Sequence, residues 1–190
     1  AGEMKSRLVD LTGLSLDQFP WVRTYHSACF KILKQHCHLL GYQTPLQIYS
    51  EYQQQKIVKE ILVRFNIDKK YLYPIRSHLS SAKNSGDPAS YFDAQRRMAY
   101  INLPEIYGLY EKELFSKNAV DFDNILLMAR NLLRDYPEVQ QQYQSLFSYL
   151  LVDEYQDSNN LQEELTRLLI GNGNLFCVGD DWQAIYGFRG

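Results

Sequence analysis

The chain has 190 residues, 45% of them hydrophobic, which suits one globular domain or one domain with an inserted subdomain. Its 20 basic and 22 acidic residues give a formal charge of −2, so overall charge does not mark it as a nucleic-acid binder. Three cysteines argue against a disulfide framework, and no apolar run is long enough for a membrane span or a signal peptide. We therefore expect a soluble intracellular protein with no membrane partner.

The first part of the chain predicts a helix, a strand and a second helix. Small and apolar residues at helical spacing end at Gly13, which suits a helix C-terminus. Residues 21–25, which follow Pro20, predict a short strand, and Ser27 is a candidate cap for a helix that ends at Gly41. This order of elements is typical of an α/β sheet.

The middle of the chain, from about residue 45 to 145, predicts helices. Ile57, Ile61 and Phe65 repeat at helical spacing, and turns rich in proline and glycine divide the stretch into about five helices. No convincing strand is evident in it. We interpret it as a helical insertion.

After the insertion, the sequence predicts strand, helix and strand. "YLLVDE" at 149–154 and "NLFCVGDDW" at 174–182 have strand patterns, and "SNNLQEELTRLLIGNG" at 158–173 reads as a capped helix. Because such units flank the helical block, we expect a parallel sheet with strands from both ends of the chain.

Acidic residues follow both of these predicted strands. Asp153 and Glu154 end the first, and residues 179–181 end the second, so the two groups should meet at one edge of the sheet. Adjacent carboxylates favour a divalent cation. With a nucleoside triphosphate as substrate, one carboxylate would hold Mg²⁺ and the other would orient and deprotonate water.

A simpler interpretation is that Asp157 or Ser158 caps the following helix and that Asp153 merely ends a strand. The second stretch, "VGDDWQAIYGFRG" at 178–190, favours a binding site, because it concentrates acids, an amide, aromatic rings and glycines in a few residues.

Together, these stretches resemble motifs of the UvrD/Rep/PcrA family of superfamily 1 DNA helicases. "VDEYQDSNNLQ" at 152–162 is similar to motif II, and "VGDDWQAIYGFRG" is similar to motif III. Weaker matches follow the family's order, namely "GEMKSRL" at 2–8, "VRTYHSACFKIL" at 22–33, "LSSAKN" at 79–84 and "VDFDNILLMA" at 120–129.

The resemblance implies an α/β fold, a P-loop NTPase with a RecA-like parallel sheet and a large all-helical insertion. Residues 1–25 and 145–190 would form parts of the RecA-like domain, called 1A, and residues 26–144 would form the helical domain 1B. The cofactors implied are ATP and Mg²⁺.

Residue roles are also implied by the resemblance. Asp153 would be the Mg²⁺ ligand and Glu154 the catalytic base. Gln183 would sense the γ-phosphate and take part in catalysis, and Asp157 would join Asp153 and Gln183 in binding the nucleotide.

The same resemblance implies contacts with single-stranded DNA. Tyr186 and Phe188 would stack on bases, with Arg189 beside them on the route that couples ATP to DNA. Thr24, Tyr25, His26 and Ser27 match a motif that touches the DNA backbone or the sheet beneath it, although a core or capping role for His26 is an equal alternative.

Two departures from the family pattern stand out. Trp182 and Ala184 flank the motif III glutamine where the family often has Asp and Ser. No Gly-x-x-x-x-Gly-Lys-[Ser/Thr] loop occurs in the 190 residues, so we expect a fragment of a longer protein that does not hydrolyse ATP by itself.

We therefore expect the chain to be part of an ATP-dependent helicase that moves 3′ to 5′ on single-stranded and junction DNA. We expect its location to be a cytoplasm of the bacterial type. Repair or replication proteins would be its partners. Two alternatives remain, namely a non-catalytic module that binds DNA or protein, and the motor part of a helicase–nuclease subunit.

Overall fold

The computed structural model describes residues 2–95, 100–171 and 173–180. The first helix, α1, spans Gly2–Thr12, and Gly13 follows it with a φ of +69°, a left-handed conformation that glycine adopts without a Cβ clash. This confirms the helix predicted to end at Gly13.

The strand predicted at residues 21–25 is wrong. Residues 20 and 21 form a turn, and the next helix, α2, already begins at Tyr25 and ends at His36. Thr24, rather than Ser27, is its N-cap, because the Thr24 side chain accepts a hydrogen bond from the backbone N–H of Ser27. The apolar Trp21 packs edge-on against aromatic rings of a later helix instead of joining a sheet.

The described residues of the middle of the chain form six α-helices where about five were predicted. They are α3 (Glu51–Arg64), α4 (Leu72–Asn84), α5 (Pro88–Ala94), α6 (Leu103–Ser116), α7 (Phe122–Asp135) and α8 (Pro137–Leu146). Side chains of Ser50, Asp87, Asn102 and Asp121 cap four of them. Local capping chemistry therefore explains why these helices begin where they do.

Two short strands in this stretch contradict the expectation of helices alone. β1 (Gln47–Ile48) pairs in parallel with β2 (Ala119–Val120), although about seventy residues separate them in sequence. Strands of two residues are too short to show an alternating pattern, and such a distant pairing leaves no local signal.

The last part of the chain forms the predicted strand, helix and strand. β3 (Leu150–Val152) and β4 (Leu175–Cys177) are parallel neighbours, and Val152 lies opposite Cys177. α9 (Asn160–Leu169) connects them, and Asn159 caps it in place of the Asp157 or Ser158 considered above. Among the described residues, neither β1 nor β2 pairs with this sheet, so the expected sheet with strands from both ends of the chain is not formed.

Buried apolar side chains form two clusters. The first joins α2, α7, α8 and α9, and the second joins α3, α4, α5 and α6. The described chain is therefore mostly helical with two small parallel sheets. This agrees with an α/β chain that is rich in helices, but it does not establish the RecA-like sheet that was expected. None of the described helices is long and apolar enough to cross a membrane.

A buried cation connects three helices of the middle segment. Lys83 on α4 is fully buried, and its Nζ lies 2.6 Å from Asp121 Oδ2 and 2.7 Å from Glu111 Oε1. Asn124 Oδ1 accepts a further hydrogen bond from Nζ at 2.9 Å, and the Tyr110 hydroxyl donates to Asp121 at 2.8 Å. With these partners the buried charge is compensated.

Packed tyrosines predict a loss of stability in alkali. Burial raises the pKa of Tyr143 to about 12, and burial together with nearby carboxylates raises that of Tyr42 to about 12. Unfolded phenols ionise near pH 10, so this stabilising contribution is complete below about pH 10 and declines as the pH rises towards 12. We expect the free energy of unfolding to fall over that window, as measured by denaturation at several pH values. If tyrosinate absorbance instead showed these phenols ionising near pH 10 in the folded protein, the prediction would be wrong.

Candidate functional site

The acidic loop, residues 153–157, follows β3 directly. Asp153 and Glu154 are both exposed, and residues 155–157 form a 3₁₀ turn that leads towards α9. Both strands of the small sheet end at this edge. The residues that follow them lie side by side, since the backbone N–H of Tyr155 donates a hydrogen bond to Val178 O at 2.9 Å. The prediction that the ends of the two strands lie together is therefore confirmed.

Glu154 adopts an unusual backbone conformation. Its φ is +53°, in the left-handed region that residues with a Cβ rarely enter, and its N–H donates to Asp153 Oδ1 at 3.0 Å. Such conformations cost of order 1–3 kcal/mol and are concentrated at functional sites. The turn presents two adjacent carboxylates to solvent at the carboxyl edge of the sheet.

Gln156 connects the acidic loop to the loop after β4. Its Nε2 donates to Glu154 Oε2 at 2.6 Å, and its Oε1 accepts from the backbone N–H of Asp180 at 3.0 Å. One side chain therefore contacts both segments that the sequence assigned to the site.

Helix α2 reaches the same region through Tyr25. The Tyr25 hydroxyl and Thr166 Oγ1 on α9 form a hydrogen bond at 2.7 Å. Burial raises the pKa of Tyr25, while hydrogen bonding to Thr166 and to Ser158 partly offsets that effect. The neutral phenol therefore links α2 by a hydrogen bond to α9, the helix that follows the acidic loop.

The two residues predicted to touch the DNA backbone have structural partners. Thr24 is exposed and caps α2, whereas His26 stacks on Phe122 with ring centroids 3.7 Å apart. Burial lowers the pKa of His26, although Asp123 opposes this, so the neutral imidazole is favoured near neutral pH.

The sequence profile of the UvrD/REP helicase N-terminal domain matches residues 1–190. The chain belongs to the UvrD/REP helicase family. The resemblance drawn from its motifs is therefore confirmed.

Curated relatives of this family member include two proteins named ATP-dependent DNA helicase PcrA. The one from Staphylococcus aureus is 36% identical over 197 aligned residues, which cover 100% of this chain and 26% of that protein. The one from Staphylococcus epidermidis is 33% identical over 200 residues, with the same shares covered. The chain thus spans about a quarter of the length of the relatives it matches.

Four residues predicted for the site of this UvrD/REP family member lie outside the described residues. They are Gln183, Tyr186, Phe188 and Arg189. Asp153, Glu154 and Asp157 are described, and they share the acidic loop.

The donor set of the acidic loop fits Mg²⁺, which prefers carboxylate and water oxygens. Asp153 and Glu154 are exposed, so water can complete the coordination of an ion held by one of them. In the described ranges, no group of three or more histidine, cysteine or acidic side chains is arranged as a metal site.

The sequence did not predict that Gln156 contacts both Glu154 and the loop after β4. Its position two residues after Glu154 was evident, but a glutamine beside two acids has no distinct pattern. Only the pairing of β3 with β4 brings Asp180 within reach of its amide.

Proposed function

We propose that these residues are part of an ATP-dependent DNA helicase that couples hydrolysis of Mg-ATP to movement along single-stranded DNA. The observation that carries the proposal is the pair Asp153 and Glu154, exposed at the carboxyl edge of a parallel sheet in a UvrD/REP family member. Ligands of open parallel sheets bind beyond this edge.

In the proposed site, the two adjacent carboxylates have separate roles. Bound Mg²⁺ would neutralise charge on the β- and γ-phosphates. Asp153 would hold that ion, while Glu154 would orient the attacking water and accept its proton. Asp157 and Gln183 would contact the nucleotide, and Gln183 would sense the γ-phosphate.

The ATP site would need a phosphate-binding loop that these residues do not supply. No Gly-x-x-x-x-Gly-Lys-[Ser/Thr] sequence occurs among the 190 residues. We expect the isolated chain not to turn over ATP, whereas the full-length protein that contains it should do so. DNA-stimulated phosphate release by the full-length protein tests the proposal, and a complete lack of ATP turnover would contradict it.

The DNA side of the proposal rests on motif III. Tyr186 and Phe188 would stack on successive bases, a contact worth about 1–3 kcal/mol per base and tolerant of sequence. Arg189, Thr24 and His26 would contact the strand or the coupling route. Movement would run 3′ to 5′, and single-stranded and junction DNA would be the substrates.

Replacing Tyr186 or Phe188 with alanine should weaken binding of single-stranded DNA by the full-length protein. The loss of one stacked base predicts a rise in Kd of roughly fivefold to a hundredfold, which fluorescence anisotropy on oligonucleotides measures. Tyr73→Ala is a control, because Tyr73 is an exposed tyrosine on α4, distant in sequence from motif III. Kd values equal to the wild type in both motif III variants would refute stacking.

The domain assignment extends this proposal. Residues 1–25 and 145–190 would belong to the RecA-like domain 1A, and residues 26–144 to the helical domain 1B. A cytoplasm of the bacterial type, with repair or replication proteins as partners, remains part of the proposal.

A second candidate is a module that binds DNA or protein without catalysis. The missing phosphate-binding loop among the 190 residues favours it. Reading the gene upstream of Ala1 separates the two, because a Gly-Lys-[Ser/Thr] loop there supports the motor. A cluster of nuclease carboxylates far downstream would instead indicate a helicase–nuclease subunit.

A further inference from the structure

Gln156 is the side chain through which the loop after β4 reaches the proposed catalytic base. We propose that Gln156 is a positioning residue, which holds the Glu154 carboxylate in place and couples it to the segment that leads into motif III. The proposal rests on the function assigned above to Glu154. It adds a residue to which motif matching gave no role.

The two hydrogen bonds of Gln156 determine the orientation of its amide. Nε2 donates to Glu154 Oε2 at 2.6 Å, and Oε1 accepts from the Asp180 N–H at 3.0 Å. Rotating the amide by half a turn would place Oε1 against a carboxylate oxygen and the NH₂ group against an N–H donor. Both contacts would then be repulsive, so the amide can form both hydrogen bonds in one orientation only.

Glu154 needs such a partner because the rest of its carboxylate is exposed to solvent. Its backbone is held by the left-handed turn, but an exposed glutamate side chain retains several rotamers. A charge-assisted hydrogen bond of 2.6 Å restricts that freedom. A base held in one place is a requirement for efficient proton abstraction.

Gly179 leaves room for this arrangement. A Cβ at Gly179 would lie 2.7 Å from Gln156 Oε1 and 3.3 Å from the Gln156 backbone nitrogen. The closer atom is the flexible end of a side chain, so a methyl group would displace the amide, and the tight backbone contact would require a further shift of a few tenths of an ångström. Alanine at this position therefore perturbs Gln156 without changing Gln156 itself.

The coupling follows from chain connectivity. Asp180 directly precedes residues 181–190, to which we assign the γ-phosphate sensor Gln183 and the stacking rings. Movement of the Asp180 N–H away from Gln156 would break the hydrogen bond to Oε1. The amide could then rotate, and its hydrogen bond to Glu154 would be less well defined. Information about phosphate or DNA would thereby change the position of the base.

The test measures DNA-stimulated phosphate release by the full-length protein carrying Gln156→Leu. We expect kcat to fall roughly tenfold to a hundredfold while KM for ATP changes less than about twofold, because the base is misplaced but the nucleotide contacts remain. Gln156→Glu keeps an acceptor for the Asp180 N–H but cannot donate to Glu154, so its kcat should fall by a similar factor. Gly179→Ala should also lower kcat, because its methyl group displaces the Gln156 amide.

Gln162→Leu is the matched control. Gln162 is also a half-buried glutamine, and its Oε1 accepts from the Asn159 N–H at 3.1 Å in the capping box of α9. Its loss should lower Tm slightly and leave kcat unchanged. A purely structural role for Gln156 would give the same pattern, and that result would overturn the proposal.

A double variant separates this proposal from the function on which it rests. In a Glu154→Gln background, Gln156→Leu should cause no further loss in single-turnover phosphate release, because the group it positions is gone. An additional tenfold loss there would show that Gln156 acts on something other than Glu154. If Glu154→Gln is impaired while Gln156→Leu and Gly179→Ala match the wild type, only the positioning role fails. If Glu154→Gln itself retains full turnover, the catalytic assignment fails instead.

Discussion

Glu154→Gln in the full-length protein should lower DNA-stimulated ATP turnover by roughly a hundredfold to ten-thousandfold, the usual contribution of a general base. Glutamine has the same shape but cannot accept a proton from water, and it can still pair with the amide of Gln156. The variant should therefore fold normally and retain its affinity for Mg-ATP. Phosphate release measured with and without single-stranded DNA gives the rate.

Two companion variants sharpen this result. Asp153→Asn should raise the Mg²⁺ concentration needed for half-maximal turnover, because it removes the carboxylate proposed to hold the ion. Glu163→Gln is a matched control, since Glu163 lies on α9 and pairs at the surface with Arg167. It should turn over ATP like the wild type. Unchanged turnover in Glu154→Gln would mean that another group activates water.

Lys83→Met should destabilise the helical segment by about 3–5 kcal/mol, the usual effect of removing one partner of a buried ion pair. Methionine fills similar volume, but Asp121 and Glu111 would then face each other without a cation. Asp121 also caps α7, so its displacement would loosen the start of that helix. The effect should appear in both α4 and α7.

Hydrogen exchange measured on peptides of the full-length protein can locate this loss. Protection in α4 and α7 should fall roughly a hundredfold to four-thousandfold, provided that these helices exchange by local opening. Lys117→Met is the comparison, because the Lys117 Nζ lies 3.5 Å from Glu113 in an exposed pair worth less than about 1 kcal/mol. Equal protection in Lys83→Met and wild type would show that the buried network contributes little.

Local sequence signals were sufficient for most of the helices and for β3 and β4. Side chains with short-range capping chemistry, such as Ser50 and Asn102, begin helices with neighbours only three residues away. Gly13 adopts a left-handed conformation after α1 for an equally local reason, and so does Gly41, although it follows a 3₁₀ helix, Cys37–Leu40, and not α2, which was predicted to end there. Such features depend on a few adjacent residues, and the sequence displays those directly.

Errors arose where a helix cap and distant packing outweighed a local strand preference, or where two strands paired across a long stretch of sequence. The apolar and β-branched residues at 21–25 suggested a strand, but the Thr24 cap and the packing of Trp21 on Tyr143 and Phe147 direct the chain into a turn and helix. In the same way, nothing near β1 indicates its pairing with β2.

The sequence by itself determined the family, the motif order and the pair Asp153 and Glu154, because these depend on residue identity and spacing along the chain. Only the tertiary structure decided that Lys83 is buried among two carboxylates, that Tyr25 is fastened to Thr166, and that Gln156 bridges Glu154 and Asp180. Each of these depends on atoms from segments distant in sequence meeting within hydrogen-bonding distance. Packing of the helices and pairing of the strands sets that distance, and no local pattern encodes it.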